Sequence, residues 1–247
     1  MIRECYGQQI ILHYEPKMNP KISIIIPANN EEDYIAKTLH SIKTQSYQDY
    51  EAIVVSNGCT DKTEEIVNKK VNEKLKHFSI SEANVSIARN FGAKQANGAI
   101  LLFLDADTHL DQNVLHKINA DFTNKYSVAT TKVRADENKA KYNFAMWFKN
   151  SYHRANIYQG CSGALICRKE DFDKVGGYPE IVVKEHRKLI IDLKRNSGKF
   201  KCLNTHVTTS MRRFKQWGLT KSTFFWVKQW AKNYVSDLKD SKYEKIR

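Results

Sequence analysis

Asp105 and Asp107 are separated by a single alanine and follow directly on Ala99-Ile-Leu-Leu-Phe-Leu104, the clearest apolar run in the chain. Two carboxylates this close repel each other, so the pair makes a poor structural turn unless a cation or solvent relieves the repulsion. A carboxylate-poor site with open positions suits a hard divalent ion, Mg2+ or Mn2+, whose remaining ligands are phosphate oxygens. The plainer use of the same residues is a solvated turn in which Asp107 caps the next helix. Placement at the end of a sheet-core strand favours chemistry.

Other common devices are missing. The chain has no G-x-x-x-x-G-K-[ST] and no G-x-G-x-x-G, so neither glycine-rich phosphate cradle is present. Gly160-Cys-Ser-Gly163 is not a nucleophile elbow, no H-E-x-x-H occurs, and the eight histidines show no metal-ligand spacing. The five cysteines are odd in number, widely spread and without a C-x-x-C pair, which argues against a disulfide framework and a structural zinc.

The elements that must position the aspartates alternate between strand and helix. Ile22–Pro27 and Glu51–Ser56 are apolar on both faces, as buried parallel strands are. His77–Ser81 reads as a weaker third strand and Ala99–Leu104 as the fourth. Between them Asn30 caps a helix carrying Ile35, Leu39 and Ile42 on one face. Asp61 with Glu64 opens a second helix, and Ser86 caps a third that Gly98 ends. The pattern is α/β: a Rossmann-like, mostly parallel sheet with helices on both faces, whose ligands bind beyond the carboxyl ends of the strands. The polar clusters Asn29–Glu32, Asn57 and Asp105–Asp107 fall at those ends. Further on, Ser127–Val133, Cys161–Cys167 and Phe200–Val207 read as strands, with helices over Tyr142–Tyr158 and Glu185–Arg195.

Net charge is +13, from 40 Lys+Arg against 27 Asp+Glu. Polyanions, phosphorylated small molecules and anionic membranes are therefore all attracted. The basic residues are interspersed with acids and no nucleic-acid recognition motif is visible, so nucleic acid is not an expected partner. The polar Met1–Gln9 lacks a signal-peptide core, and no apolar run approaches the ~20 residues of a membrane span. The expected location is cytoplasmic, free or on a membrane face.

Four ordered segments carry a resemblance: Ile24-Ile-Ile-Pro-Ala-Asn-Asn-Glu-Glu32, Val54-Val-Ser-Asn-Gly-Cys-Thr-Asp-Lys-Thr63, Ala88-Arg-Asn-Phe-Gly-Ala93 and Leu102-Phe-Leu-Asp-Ala-Asp-Thr108. In order and spacing they resemble the family 2 glycosyltransferases. The likeness continues through Gly163-Ala-Leu-Ile-Cys-Arg168 and Val175-Gly-Gly-Tyr-Pro-Glu180, from roughly Lys21 to Phe214. It implies a GT-A fold and inverting transfer from a nucleoside diphosphate sugar, UDP ahead of GDP, to an acceptor hydroxyl. The acceptor would be a saccharide or lipid-linked glycan in surface polysaccharide or lipid-linked glycan synthesis.

The resemblance also implies residue roles. Pro27, Ala28, Asn29, Glu31, Asn57, Arg89, Asp105, Ala106 and Asp107 would line the donor, with Mn2+ or Mg2+ on Asp107 and Asp105 nearby. Asn57 stands where the family usually has a base-reading aspartate, and its amide oxygen still accepts from uracil N3–H. Asn29 replaces a frequent aromatic. The family takes its catalytic base from a Glu-Asp pair, which here reads Glu185-His186, and Glu185 ranks ahead of His186. Arg212 and Arg213 match basic residues of a late loop that closes over the diphosphate. His206, just upstream, is a further candidate metal ligand.

Residues 1–20 then form a leader, 21–107 the donor half, 108–215 the acceptor half of the same domain, and 216–247 an amphipathic helical tail. In that tail Phe224, Val227, Ala231, Tyr234 and Leu238 share one face, with Trp226 and Trp230 beside it. Such a stripe packs on the domain or on a second subunit, as in a homodimer, or lies on an anionic membrane. The alternatives to transfer are a donor-binding but catalytically weak relative, motivated by His186, and a nucleotidyltransferase. A nucleic-acid-binding protein, motivated by charge alone, ranks last.

Overall fold

A computed structural model describes residues 20–155, 160–161, 163–181 and 184–218. The expected leader, and the expected tail helix beyond residue 218, lie outside the described residues, as does Tyr158.

Fifteen elements follow in the described order β1 (Ile22–Ala28), α1 (Ile35–Lys43), β2 (Tyr50–Asn57), α2 (Thr63–Asn68), β3 (Leu75–Ile80), α3 (Val85–Lys94), β4 (Ile100–Leu104), β5 (Thr108–Leu110), α4 (Val114–Asp121), β6 (Tyr126–Ala135), α5 (Ala140–Arg154), β7 (Ala164–Arg168), α6 (Lys169–Lys174), α7 (Glu185–Ser197) and β8 (Lys199–Thr209). All strands join one sheet in the order β3-β2-β1-β4-β7-β6-β8-β5. β1 to β4 are mutually parallel, β7 runs against β4 and β6, and β8 runs with β6. The carboxyl ends of β1, β2, β4, β6 and β8 therefore share one edge.

The apolar runs explain the layering. Every residue of β1, β2 and β4 is buried, and alternate side chains supply two cores. Ile22, Ile24 and Ile26 pack with α1, α4 and α5, whereas Ile25, Ile53 and Leu101 pack with α3, α6 and α7. Each such aliphatic side chain contributes about 1.5–3 kcal/mol on burial. One buried charge interrupts the sheet: Glu51 accepts from Ser23 Oγ, Asn97 N and Lys76 Nζ at 2.6–2.7 Å. Gly98 matters here for space. A Cβ on it would lie 2.6 Å from Ser23 Oγ and 2.7 Å from Ser23 N.

Local details differ from the sequence reading. Asn30 does not cap α1; it takes a left-handed φ of 55° and bonds Thr60 instead, while Tyr34 precedes the helix. Asn84, not Ser86, caps α3 by accepting from the amides of Ser86 and Ile87. Asp61 does accept from the Thr63 amide at 2.9 Å, but Glu64 turns outward to Ser79. β5, α4 and α6 were not foreseen. Among the described residues no helix is long and apolar enough to cross a membrane.

Candidate active site

The loops after β1 and β2 are clasped together at the shared edge. Asn29 Nδ2 donates to the carbonyls of Asn57 and Gly58, and Thr60 N and Glu31 N donate to Asn30 Oδ1 and Thr63 Oγ1. Asn29 is thus a brace between loops. Pro27, Ala28 and Ala106 are buried in the floor, and Thr38 Oγ1 pins the Ala106 carbonyl at 2.6 Å. That bond fixes the turn from which Asp105 and Asp107 project. Asn57 is also buried, and its Oδ1 has no hydrogen-bond partner among the described residues. A buried acceptor left unmade costs about 1–3 kcal/mol, which an N–H donor in the cleft recovers.

Two guanidinium clamps hold the carboxylates of this edge. Arg89, on α3, donates from Nη2 to Asp105 Oδ1 at 2.8 Å and from Nη1 to Glu185 Oε1 at 2.9 Å. Its guanidinium lies 5.1 Å over the Tyr178 ring and is almost fully buried. Arg212 forks onto both oxygens of Glu31 at 2.6 and 2.7 Å and reaches Asp107 Oδ2 at 3.2 Å, stacked 4.8 Å over Tyr34. Arg213, next to it, lies over Trp217 and in the field of Asp107, Asp105 and Glu185.

The two aspartates differ in charge state. Lost hydration pushes Asp105 upward, but Arg89, His186 and Arg212 outweigh it and hold the carboxyl below its usual range. Burial drives Asp107 up to about 7, with Asp105 and Glu31 pushing the same way against Arg212 and Thr108. Glu31 is raised too, by burial that Arg212 does not fully offset. On the Asp107 side burial outweighs the nearby guanidinium charge.

The other side of the edge is built from α7. His186 Nδ1 lies 2.8 Å from Tyr178 Oη, and Nε2 lies 3.8 Å from Glu185 Oε1. Burial, then the Arg89 charge, pulls the imidazole down to about 4, so it is neutral near pH 7. Glu185 gives only Oε1 to Arg89, and its Oε2 has no hydrogen-bond partner among the described residues.

The structure thus gathers Asn29, Glu31, Asn57, Arg89, Asp105, Asp107, Glu185, His186, Arg212 and Arg213 on one edge. His206 is not with them. It sits on β8 with Nδ1 3.3 Å from Arg134 Nη2, in a groove against α5, and its cationic neighbour disfavours a metal there. Among the described residues no three His, Cys, Asp or Glu side chains cluster at metal-ligand spacing. Tyr34, Tyr178 and Lys149 were missed. Tyr178 lies within the Val175–Glu180 segment that resembles the family, which is the signal that marks it. Lys149, whose ammonium burial pulls down against Cys161 and Asp105, gave no signal.

This mixed sheet with helices on both faces, and acidic groups gathered at its carboxyl edge, is the GT-A type of fold. A mannosyltransferase from Pyrobaculum calidifontis, in complex with GDP-Man and Mn2+, superposes with a TM-score of 0.69 at 17% identity, covering 90% of this chain and 66% of that one. Staphylococcus aureus TarS 1–349, in complex with UDP-GlcNAc, gives 0.64 at 19% identity over 91% and 62% of the two chains. In sequence, the putative teichuronic acid biosynthesis glycosyltransferase TuaG of Bacillus subtilis is 34% identical over 101 residues, 40% of each chain. The family model described as glycosyl transferase family 2 matches residues 23–169, more than half of the chain. The protein belongs to glycosyl transferase family 2. It spans 15% to 40% of the length of three curated relatives that it matches.

Proposed function

We propose that the protein is an inverting glycosyltransferase that moves a sugar from a nucleoside diphosphate sugar, UDP ahead of GDP, to the hydroxyl of a saccharide or lipid-linked acceptor. The observation that carries this reading is the pairing of a charge-compensated Asp105 with an undercompensated Asp107 at one sheet edge. The relatives' association with UDP-GlcNAc, GDP-Man and teichuronic acid supports a nucleotide-sugar donor and a surface-polymer acceptor.

A divalent cation fits the Asp107 side, because burial has raised that carboxyl to about 7 and Glu31 and Asp105 add to the repulsion. Asp107 would hold Mn2+ or Mg2+ with Asp105 nearby, and the ion supplies charge stabilisation for the leaving diphosphate. Arg212, which grips Glu31 and Asp107 from a late segment, is placed to exchange those carboxylates for phosphate oxygens, with Arg213 beside it. The orphaned Oδ1 of Asn57 accepts the N3–H of a uracil, or the N1–H of a guanine.

In the transfer itself the acceptor oxygen forms a bond to the anomeric carbon on the face opposite the diphosphate. The bond to the diphosphate breaks with its electron pair, and the hydroxyl proton passes to a base. Glu185 is that base: Arg89 fixes one oxygen and leaves the other available. His186 stays neutral and, tied to Tyr178, borders the same space.

Glu185→Gln is the test. Loss of a general base lowers turnover by about 10²–10⁴-fold with donor binding kept. A small effect there with a large one for His186→Ala moves the base to His186. The weak-relative reading, favoured by histidine at this position, predicts that His186→Asp raises turnover; no change counts against it.

A further inference from the structure

The last turns of α5 and the strand pair β6–β8 enclose an open groove of about 170 Å³, lined by Lys132, Trp147, Asn150, Ser151, Arg154 and His206. A register shift creates it. Leu203 faces Thr131 and His206 faces Lys132, so residues 204 and 205 have no partners and β8 bulges. Bulges of this kind re-aim side chains beside functional sites. Asn150 closes the wall by bonding both the N–H and the carbonyl of Val133 with its amide.

The groove combines two cations, an exposed tryptophan and a lining free of carboxylates. Elsewhere several surface lysines pair with carboxylates, as in Lys69–Glu65, Lys169–Asp173 and Lys188–Asp192. Here Lys132 Nζ meets only the neutral Asn204 Oδ1, at 2.6 Å, and Arg154 has no ion-pair partner among the described residues. No carboxylate lines the walls. The indole of Trp147 is 62% exposed at the rim, and Phe144 and Phe148 continue an aromatic ridge along α5. Two uncompensated cations beside an open indole match a sugar ring bearing an acidic group: the ring stacks on the aromatic face and the anion meets the cations.

We propose that this groove is a subsite for an anionic saccharide unit of the acceptor, one carrying carboxylate or phosphate. β8 leads from it to the candidate active site, since Ser210 N donates to the Asp107 carbonyl four residues beyond His206, about 13 Å along a strand. The groove thus engages a unit some way from the reacting hydroxyl. The placing of that unit rests on the glycosyl-transfer reading, but its binding is measured without donor.

The experiment is calorimetric titration of the full chain, at 50 and 150 mM salt, with oligogalacturonate, glycerol phosphate oligomer and neutral maltohexaose. At least one acidic oligomer binds ten times more tightly than maltohexaose, and which one does so tells carboxylate from phosphate. Lys132→Ala/Arg154→Ala weakens that binding at least tenfold, and Trp147→Ala weakens it as well. Lys70→Ala/Lys94→Ala, which removes the same charge from exposed sites elsewhere, leaves it unchanged. The proposal is overturned if neither acidic oligomer binds, if the groove variants bind as wild type, or if the control pair weakens binding equally. It is also overturned if phosphatidylglycerol vesicles bind through Phe144 and Phe148 while the groove variants leave oligomer affinity intact. Nucleotide-induced stabilisation of the same variants is recorded alongside. Its absence in wild type counts against the transferase reading alone, and its retention in variants that lose the oligomer locates the defect in the groove.

Discussion

Asp105 and Asp107 are two residues apart, yet the protein treats them in opposite ways. Asp105 is held by an arginine buried between α3 and α7, which also holds Glu185 and stacks on Tyr178. Asp107 is held by an arginine that follows β8, is itself partly open, and spends its better contacts on Glu31. The first clamp is a fixed joint between the two halves of the site. The second leaves a carboxylate that burial has pushed to about 7, a position that favours an incoming cation.

Asp107→Asn gives the largest effect. It lowers transfer by about 10³-fold or more, because the proposed cation, which this carboxylate would hold, would supply several kcal/mol of transition-state charge stabilisation. Turnover close to wild type would erase the distinction between the two aspartates. Next, Arg89→Ala leaves Asp105 and Glu185 without their buried partner and costs about 3–5 kcal/mol in urea unfolding. Arg212→Ala, whose guanidinium is more open than that of Arg89, costs less in the same assay. Equal losses would mean that both clamps are structural.

The signs of the aspartate substitutions separate the regions further. Asp107 titrates above its unfolded value, so its charge opposes folding near pH 8, and Asp107→Asn in metal-free buffer unfolds at a higher temperature than wild type. Asp105 titrates below its unfolded value, its charge favours folding, and Asp105→Asn unfolds at a lower one. A thermal scan of both decides.

Glu51 supplies a reference outside the site. Burial raises its pKa, but Lys76, Asn97 and Ser23 lower it further, to a net value below 4.5. Its contribution is complete above the unfolded pKa and is lost as pH falls through the folded value. Glu51→Gln therefore destabilises by about 1–3 kcal/mol at pH 7, a difference that shrinks as pH falls below the usual carboxylate range. A pH-independent difference would contradict this.

The same contrast explains what the sequence disclosed. β1, β2 and β4 are buried on both faces, so their apolar runs and the polar residues ending them are visible without tertiary knowledge. Asp105, Asp107 and Glu31 lie in those terminal polar clusters, whereas Arg89, inside α3, is indicated only by the family resemblance. β5 has three residues and exists through pairing with β8 a hundred positions later, which no local pattern encodes. Asn30 has the composition of a helix cap but is used in a left-handed turn that clasps the next loop. His206 was misplaced for a similar reason, since the bulge that sets its direction arises from the register of β8 on β6.

Thermal unfolding with UDP, GDP, ADP, CMP and dTDP, each with and without Mn2+, tests the central claim most directly. A nucleotide at 100 times its dissociation constant stabilises by ~2.7 kcal/mol, which for a chain of this size raises the midpoint by about 5–10 °C. Such a rise is expected for one uridine or guanosine nucleotide, only with the metal present, and none in Asp107→Asn. No rise with any nucleotide, or an equal rise in the variant, would contradict that claim.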